Sequence, residues 1–245
     1  TVPHIRHTPM IGEEHCVTEL LEHHSTHNQF CLLRHNSKRE KPQFIVRKKP
    51  KTMPKALILI ADGSEEIEFV TPYDVLTRAG FEVQSVGVDL KNEGYAHMTR
   101  NVRIVPDHTN LTSFPHQLAH EHYDILILPG GGPGAKTFST NPSVLQLIKS
   151  FVRSGKFVAA ICAGTTALVA AGIEKKIVTS HPSVMQEIKG AGWEYSEERV
   201  VVDGKVVTSR GPGTALLFSL TIVEVMVGKE KRDEVAGPMV VAATL

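Results

Sequence analysis

One cysteine stands where an apolar strand hands over to a helix. Phe157-Val158-Ala159-Ala160-Ile161 has strand length, Cys162-Ala163-Gly164 reads as a sharp turn, and Thr165–Ala171 begins a helical pattern. Strand, tight turn and helix make a nucleophile elbow, which thrusts a side chain out of a strained backbone. Small residues at Ala160, Ala163 and Gly164 permit the close packing that an elbow needs. N–H groups and the positive end of the following helix would lower the thiol pKa and favour a thiolate. A buried, inert cysteine is the plainer reading of the same residue.

Two further strand ends carry polar chemistry. Ile125-Leu126-Ile127-Leu128 leads into Pro129-Gly130-Gly131-Gly132-Pro133-Gly134. No Gly-Lys-Ser/Thr follows, so this is no phosphate-binding loop of that type. Its exposed N–H groups could instead hold an oxyanion. Ala56–Ala61 leads into Asp62-Gly63-Ser64-Glu65-Glu66-Ile67-Glu68. Glu65 and Glu66 suit a solvated helix start. Glu68 lies among Ile67, Phe69 and Val70, where a carboxyl group would have a raised pKa, stay protonated and hydrogen-bond a thiolate. His181, between Thr179-Ser180 and Pro182, suits either a Cys-His base or a structural histidine near the pocket. Arg100, Arg78 and Arg210 could offer positive charge to an anionic substrate, though each alone suits a surface salt bridge better.

These loops need a scaffold that brings them together. Continuous apolar runs of strand length alternate with segments of three- and four-residue apolar spacing, such as Val144, Leu145, Ile148, Phe151 and Val152. The pattern predicts strands over 56–61, 81–88, 102–105, 125–128, 157–161 and 177–179, and a hairpin around Asp203-Gly204. It predicts helices over 67–79, 144–152, 165–171, 184–188 and 213–227, with an irregular or partly helical stretch over 107–122. Such alternation implies a doubly wound, mostly parallel sheet in a single domain spanning 53–245. Ligand sites in open sheets of this kind lie beyond the carboxyl ends of the strands, so the three loops should share one edge.

Composition excludes several classes. A formal net charge of +1 suggests no nucleic-acid surface, and no apolar run reaches membrane-spanning length. Three cysteines, Cys16, Cys31 and Cys162, are too few and too odd in number for a disulfide framework. They argue for a reducing compartment, and a cytoplasmic location, with nuclear or mitochondrial pools, is the expectation. Residues 1–52 read as a poorly ordered extension, with seven of the thirteen histidines and Lys plus Arg outnumbering Asp plus Glu by nine to five. They lack the apolar stretch of a secretory signal. Metal binding by His23, His24 and His27 is conceivable there, but no zinc-type spacing supports it.

The stretch from Lys55 to Leu245 resembles the DJ-1/PfpI family. The resemblance rests on Ala61–Glu68, Leu128–Ala135, Ala159–Gly164 and Thr208–Thr214, in matching order and spacing. It implies a flavodoxin-like α/β sandwich of the class I glutamine amidotransferase type, and a homodimer. Cys162 matches the reactive cysteine, and Glu68 the acid that hydrogen-bonds it. Gly131, with Gly130, and Ala163 match positions whose N–H groups face the thiol and a substrate oxygen. His181 matches a pocket histidine often poorly placed for a triad. Arg100 and Arg78 match basic residues near the pocket and dimer interface, and Asp74 an interface acid; Arg210 and Pro212 fall in a matching segment beside them. Two peripheral cysteines of some members are replaced by Met98 and Val105, and an Asn that can follow Gly131 is Gly132.

The implied activity is glyoxalase III: methylglyoxal or glyoxal to lactate or glycolate, without glutathione, metal or organic cofactor. Deglycase repair of glycated proteins and nucleotides is a further implied activity. A non-enzymatic oxidative-stress sensor or redox-dependent chaperone is the alternative, through oxidation of Cys162. A peptidase or amidotransferase would need His181 oriented by an acid, and no acid adjoins it in sequence.

Overall fold

The computed structural model describes residues 53–242 and 244, all within one compact unit, Lys49–Leu245. The expectations for the extension, with Cys16, Cys31, His23, His24 and His27, lie outside the described residues. In chain order the elements are β1 (Lys55–Ile60), α1 (Glu66–Arg78), β2 (Glu82–Gly87), β3 (Ala96–His97), β4 (Arg103–Ile104), α2 (Ala119–His122), β5 (Ile125–Leu128), α3 (Gly132–Thr140) and α4 (Pro142–Arg153). They continue with β6 (Phe157–Ile161), α5 (Thr165–Ala170), β7 (Ile177–Val178), α6 (Met185–Gly190), β8 (Glu194–Tyr195), β9 (Val200–Asp203), β10 (Val206–Ser209), α7 (Ala215–Val227) and α8 (Lys229–Ala236).

Six strands form the central sheet in the order β2-β1-β5-β6-β10-β9, parallel except for β9. β1, β5 and β6 are neighbours, so their carboxyl ends emerge side by side. Ser209 of β10 is in register with Ile161, which carries the Arg210–Pro212 turn to the same edge. Strand residues alternate between two cores. Leu57, Leu59, Leu126 and Leu128 pack under α4 and α5 with Phe151 and Leu168. Ala56, Ile58, Ile60, Ile125 and Ile127 pack under α1 and α7 with Leu76 and Phe218. Burial on both faces is why these strands are apolar throughout. The result is the flavodoxin-like α/β sandwich expected from the sequence.

Local chemistry sets the helix ends. Asn141 caps α4, its Oδ1 accepting from Ser143 N at 2.9 Å and Val144 N at 3.1 Å. Glu65 caps α1, a carboxylate oxygen accepting from Glu68 N at 2.9 Å. That contact makes the acidic turn part of the site's scaffold.

The structure differs from expectation in four elements. The strand expected over 102–105 is β4, paired with β3 in a ribbon apart from the sheet. The strand expected over 177–179 is β7, paired with β8. Two-residue strands are too short to cross the sheet layer. Helix α3 arises within the expected glycine loop, because Pro133 in its first turn suits a helix start that the glycines disguise. Helix α8 has Val235 as its buried residue and so shows no apolar stripe in sequence.

Candidate active site

Cys162 has φ +63°, in the left-handed region that a non-glycine residue rarely occupies. Ile161 before it is extended, and a single turn, Cys162–Gly164, leads into α5. Holding this conformation costs about 1–3 kcal/mol, offset by the surrounding packing. The side chain is nearly buried, 8% exposed, and faces an open pocket of about 380 Å³.

Glu68 is fully buried behind the sulfur. Its Oε2 accepts from Gly130 N at 2.7 Å, and Gly130 O accepts from Glu65 N at 3.1 Å. The start of α1 thus clamps both sides of the glycine. A Cβ on Gly130 would lie 2.6 Å from both Cys162 Cβ and Glu68 Oε2, so no larger residue fits between them. At Gly131, φ is +82° and a Cβ would meet Gly63 O at 2.2 Å. Replacing Gly130 by alanine should lower kcat/KM about a hundredfold by prising Cys162 from Glu68. Gly94→Ala, where an added Cβ meets nothing within 4 Å, should leave it unchanged. Equal kinetics for the two variants would contradict this packing.

Burial pushes the Glu68 carboxyl up to about 7, against the hydrogen bonds from Cys162 and Gly130. Burial, then the charge on Glu68, pushes the Cys162 thiol up to about 12, while N–H groups of Ala163 and Gly131 pull it down. The value of about 12 describes the sulfur beside an ionised Glu68, the loss of the pair's second proton, and there the expected lowering by the helix start is absent. The N–H donors of Ala163 and Gly131, both outside the six-residue helix, are outweighed. The contribution from Glu68 exists only while Glu68 is ionised. The pair therefore holds at most one negative charge near neutrality and shares one proton. Glu68 Oε1 is buried without an N–H or O–H partner in hydrogen-bond geometry.

Cys162, Ala163, Gly131, Arg100, His181 and Pro212 line the pocket together. Gly130 and Glu68 stand directly behind it. Glu66 fixes the segment bearing Arg100: its carboxylate accepts from Thr99 Oγ1 at 2.9 Å and from Arg100 N. Burial acts to raise Glu66, but bonds from its own N–H, Thr99, Arg100 and Val102 outweigh it and hold the carboxyl below its ordinary value. The Arg100 guanidinium bonds Thr99 O at 3.4 Å.

Asp74, Arg78 and Arg210 do not line the pocket. Arg78 pairs with Asp74 at 2.8 Å on the outer face of α1, and Arg210 donates to Glu197 O at 2.8 Å. Sequence reasoning missed Lys136, Thr166, Ser183 and Glu187 in the pocket wall. Lys136 sits on the overlooked α3, and Ser183 lies two residues after His181. Among the described residues, no cluster of three or more His, Cys, Asp or Glu could hold a metal, and no helix is long and apolar enough to cross a membrane.

Comparison with known proteins places the same elements in one family. Residues 54–225 match the model of the DJ-1/PfpI family. The chain is similar to the glutathione-independent glyoxalase DJ-1 of Schizosaccharomyces pombe, 37% identical over 75% of this chain and 96% of that protein. It is also similar to the Parkinson disease protein 7 homolog of Danio rerio, 41% identical over 76% and 96%. The solved structure of Schizosaccharomyces pombe DJ-1 superposes with a TM-score of 0.73 at 36% identity, covering 77% of this chain and all of that one.

Proposed function

This chain belongs to the DJ-1/PfpI family, and from that premise we propose that it is a glutathione-independent glyoxalase with Cys162 as nucleophile. The observation that carries the reading is a left-handed, pocket-facing Cys162 set against a fully buried Glu68, whose carboxyl is raised to about 7. Two microstates carry the single negative charge. With the charge on Glu68, Oε1 would be a buried anionic oxygen with no N–H or O–H donor. With the charge on sulfur, the N–H groups of Gly131 and Ala163 face it and Oε1–H can donate to it. Donor supply favours a thiolate beside a neutral acid.

The sulfur adds to the aldehyde carbon of a 2-oxoaldehyde, and the carbonyl electron pair moves to oxygen. The N–H groups of Gly131 and Ala163 stabilise that oxyanion, and the Glu68 carboxyl protonates it. Glu68, now a carboxylate, takes the hydrogen of the same carbon as a proton and passes it to the second oxygen, giving an enediol. Again a carboxylate, it takes the first oxygen's hydroxyl proton and delivers it to the adjacent carbon. A thioester of the 2-hydroxy acid results. Water cleaves it, releasing the acid and Cys162, so the net reaction adds one water and needs no oxidant. Methylglyoxal thereby gives lactate and glyoxal gives glycolate. Arg100 supplies positive charge at the pocket wall for the anionic product.

Incubating the full chain with methylglyoxal and no glutathione tests this: lactate should accumulate, and its absence sinks the reading. Repair of glycated proteins or nucleotides is the finer extension. It requires release of repaired amine that persists when free methylglyoxal is scavenged.

The second reading is an oxidative sensor and redox-dependent chaperone. The buried acid and the N–H groups that steady a thiolate would also steady a sulfinate. A reducing compartment such as the cytoplasm suits either role for a free thiol.

The functional unit is proposed to be a homodimer. Ile67 and Val70, 52% and 49% exposed, share one stripe of α1 with Asp74 and Arg78. Val102, 47% exposed, adjoins that helix through its N–H bond to Glu66. An apolar patch rimmed by a charged pair fits a second copy of the same surface. Val70→Asp should turn a dimer into a monomer in sedimentation velocity; a monomeric unmodified chain refutes this assembly.

A further inference from the structure

His181 begins the turn Pro182–Val184, and its own ring caps that turn. Nδ1 accepts from Ser183 N at 3.2 Å and lies 2.8 Å from Ser183 Oγ. A backbone N–H can only donate. The Nδ1 lone pair is therefore used, and the neutral ring carries its proton on Nε2. The other edge of the ring and the acid both approach Gly211. A Cβ on Gly211 would lie 3.6 Å from His181 Cδ2, the carbon bonded to Nε2, and 3.9 Å from Glu68 Oε1. His181 and Ser183 both line the pocket with Cys162.

We propose that Ser183 is a positioning residue that fixes His181 as the Nε2–H tautomer, making it a neutral hydrogen-bond donor to the substrate's second carbonyl oxygen. The assignment of role rests on the glyoxalase reading. A Cys-His base would need the reverse arrangement, with the Nδ1 proton held by an acceptor and Nε2 free. Here Nδ1 meets a donor. A neutral imidazole that donates to a carbonyl oxygen makes the adjacent C–H more acidic without giving up its own proton. That is the step in which Glu68 moves hydrogen between the two carbons. Ser183 then plays for His181 the part that a supporting partner plays in fixing any functional imidazole's tautomer.

Nitrogen-15 labelling of histidine in the full chain tests this, with His181 assigned by difference against His181→Gln. Long-range proton–nitrogen correlation at a pH where the ring is neutral should show Nε2–H as the dominant tautomer without substrate. Ser183→Ala keeps the N–H but loses Oγ. It should lower kcat about 3- to 10-fold with KM unchanged, and Ser183→Thr should restore kcat. A dominant Nδ1–H tautomer in the unmodified chain overturns the proposal, as does an unchanged kcat in Ser183→Ala. Failure of the glyoxalase reading shows separately, as no lactate from the unmodified chain, and would overturn the assigned role while the spectrum still reports the tautomer.

Discussion

Cys162→Ser should lower lactate formation from methylglyoxal by at least about a thousandfold while the fold survives. Serine occupies less space than cysteine and can keep the elbow's backbone. Its hydroxyl, however, holds its proton far more tightly than a thiol. The donors that face the sulfur, Gly131 and Ala163, are already outweighed by burial at a thiol, and a hydroxyl is beyond their reach. Aldehyde addition and the thioester are then both lost. Circular dichroism and the unfolding midpoint should stay close to those of the unmodified chain. The same variant separates the sensor reading. On peroxide titration the unmodified chain should gain two oxygen atoms at Cys162 by mass spectrometry, and the variant none at that residue. Turnover near the unmodified rate in Cys162→Ser would end the covalent scheme. Oxidation elsewhere with Cys162 spared would end the sensor.

Glu68→Leu should lower kcat by about 100- to 10,000-fold, because Glu68 is the acid that contacts Cys162 and carries hydrogen between the two carbons. It also leaves the Gly130 N–H without its acceptor, so Glu68→Gln is the cleaner partner variant. The amide retains an acceptor but cannot shuttle the proton. Stability should move the opposite way to activity at high pH. Glu68 ordinarily titrates near 4.5 and in the fold near 7. Below the lower value both folded and unfolded chains hold the proton, and the residue costs nothing. Between the two values the unfolded chain ionises and the folded one resists, so stability falls as pH rises. Above about 7 the full cost, about 3 kcal/mol, is present whichever atom of the pair takes the charge. Urea unfolding should find Glu68→Gln more stable than the unmodified chain at pH 8, by up to that amount. The gap should close near pH 4. A less stable variant at pH 8 would show that the buried acid is not raised.

Much of this site was legible because strands covered on both faces must be apolar throughout. Ala56–Ala61, Ile125–Leu128 and Phe157–Ile161 announce themselves that way, and parallel topology brings their trailing loops to one edge. Cys162 stood out through its small neighbours, and Glu68 through its apolar ones. Other features were hidden for physical reasons. Gly132 and Gly134 mask α3, whose first-turn Pro133 was its one local signal. The upward shift of Cys162 depends on burial and on Glu68, which is 94 residues distant in sequence and adjacent only in the fold. The placement of Arg100 depends on the Glu66 carboxylate gripping a separate ribbon. Asp74, Arg78 and Arg210 show the converse: their charges were visible, but the pairing of Arg78 with Asp74 and of Arg210 with Glu197 could be read only from coordinates.

Ultraviolet thiolate absorbance, taken as the difference between the unmodified chain and Cys162→Ser across a pH titration, reports directly where the pair keeps its charge. A thiolate signal developing through the region of about 7, where the Glu68–Cys162 pair gives up its first proton, is the expected result. A signal that emerges only on approach to about 12 would place the charge on Glu68 and leave the sulfur an inert thiol, contradicting the account.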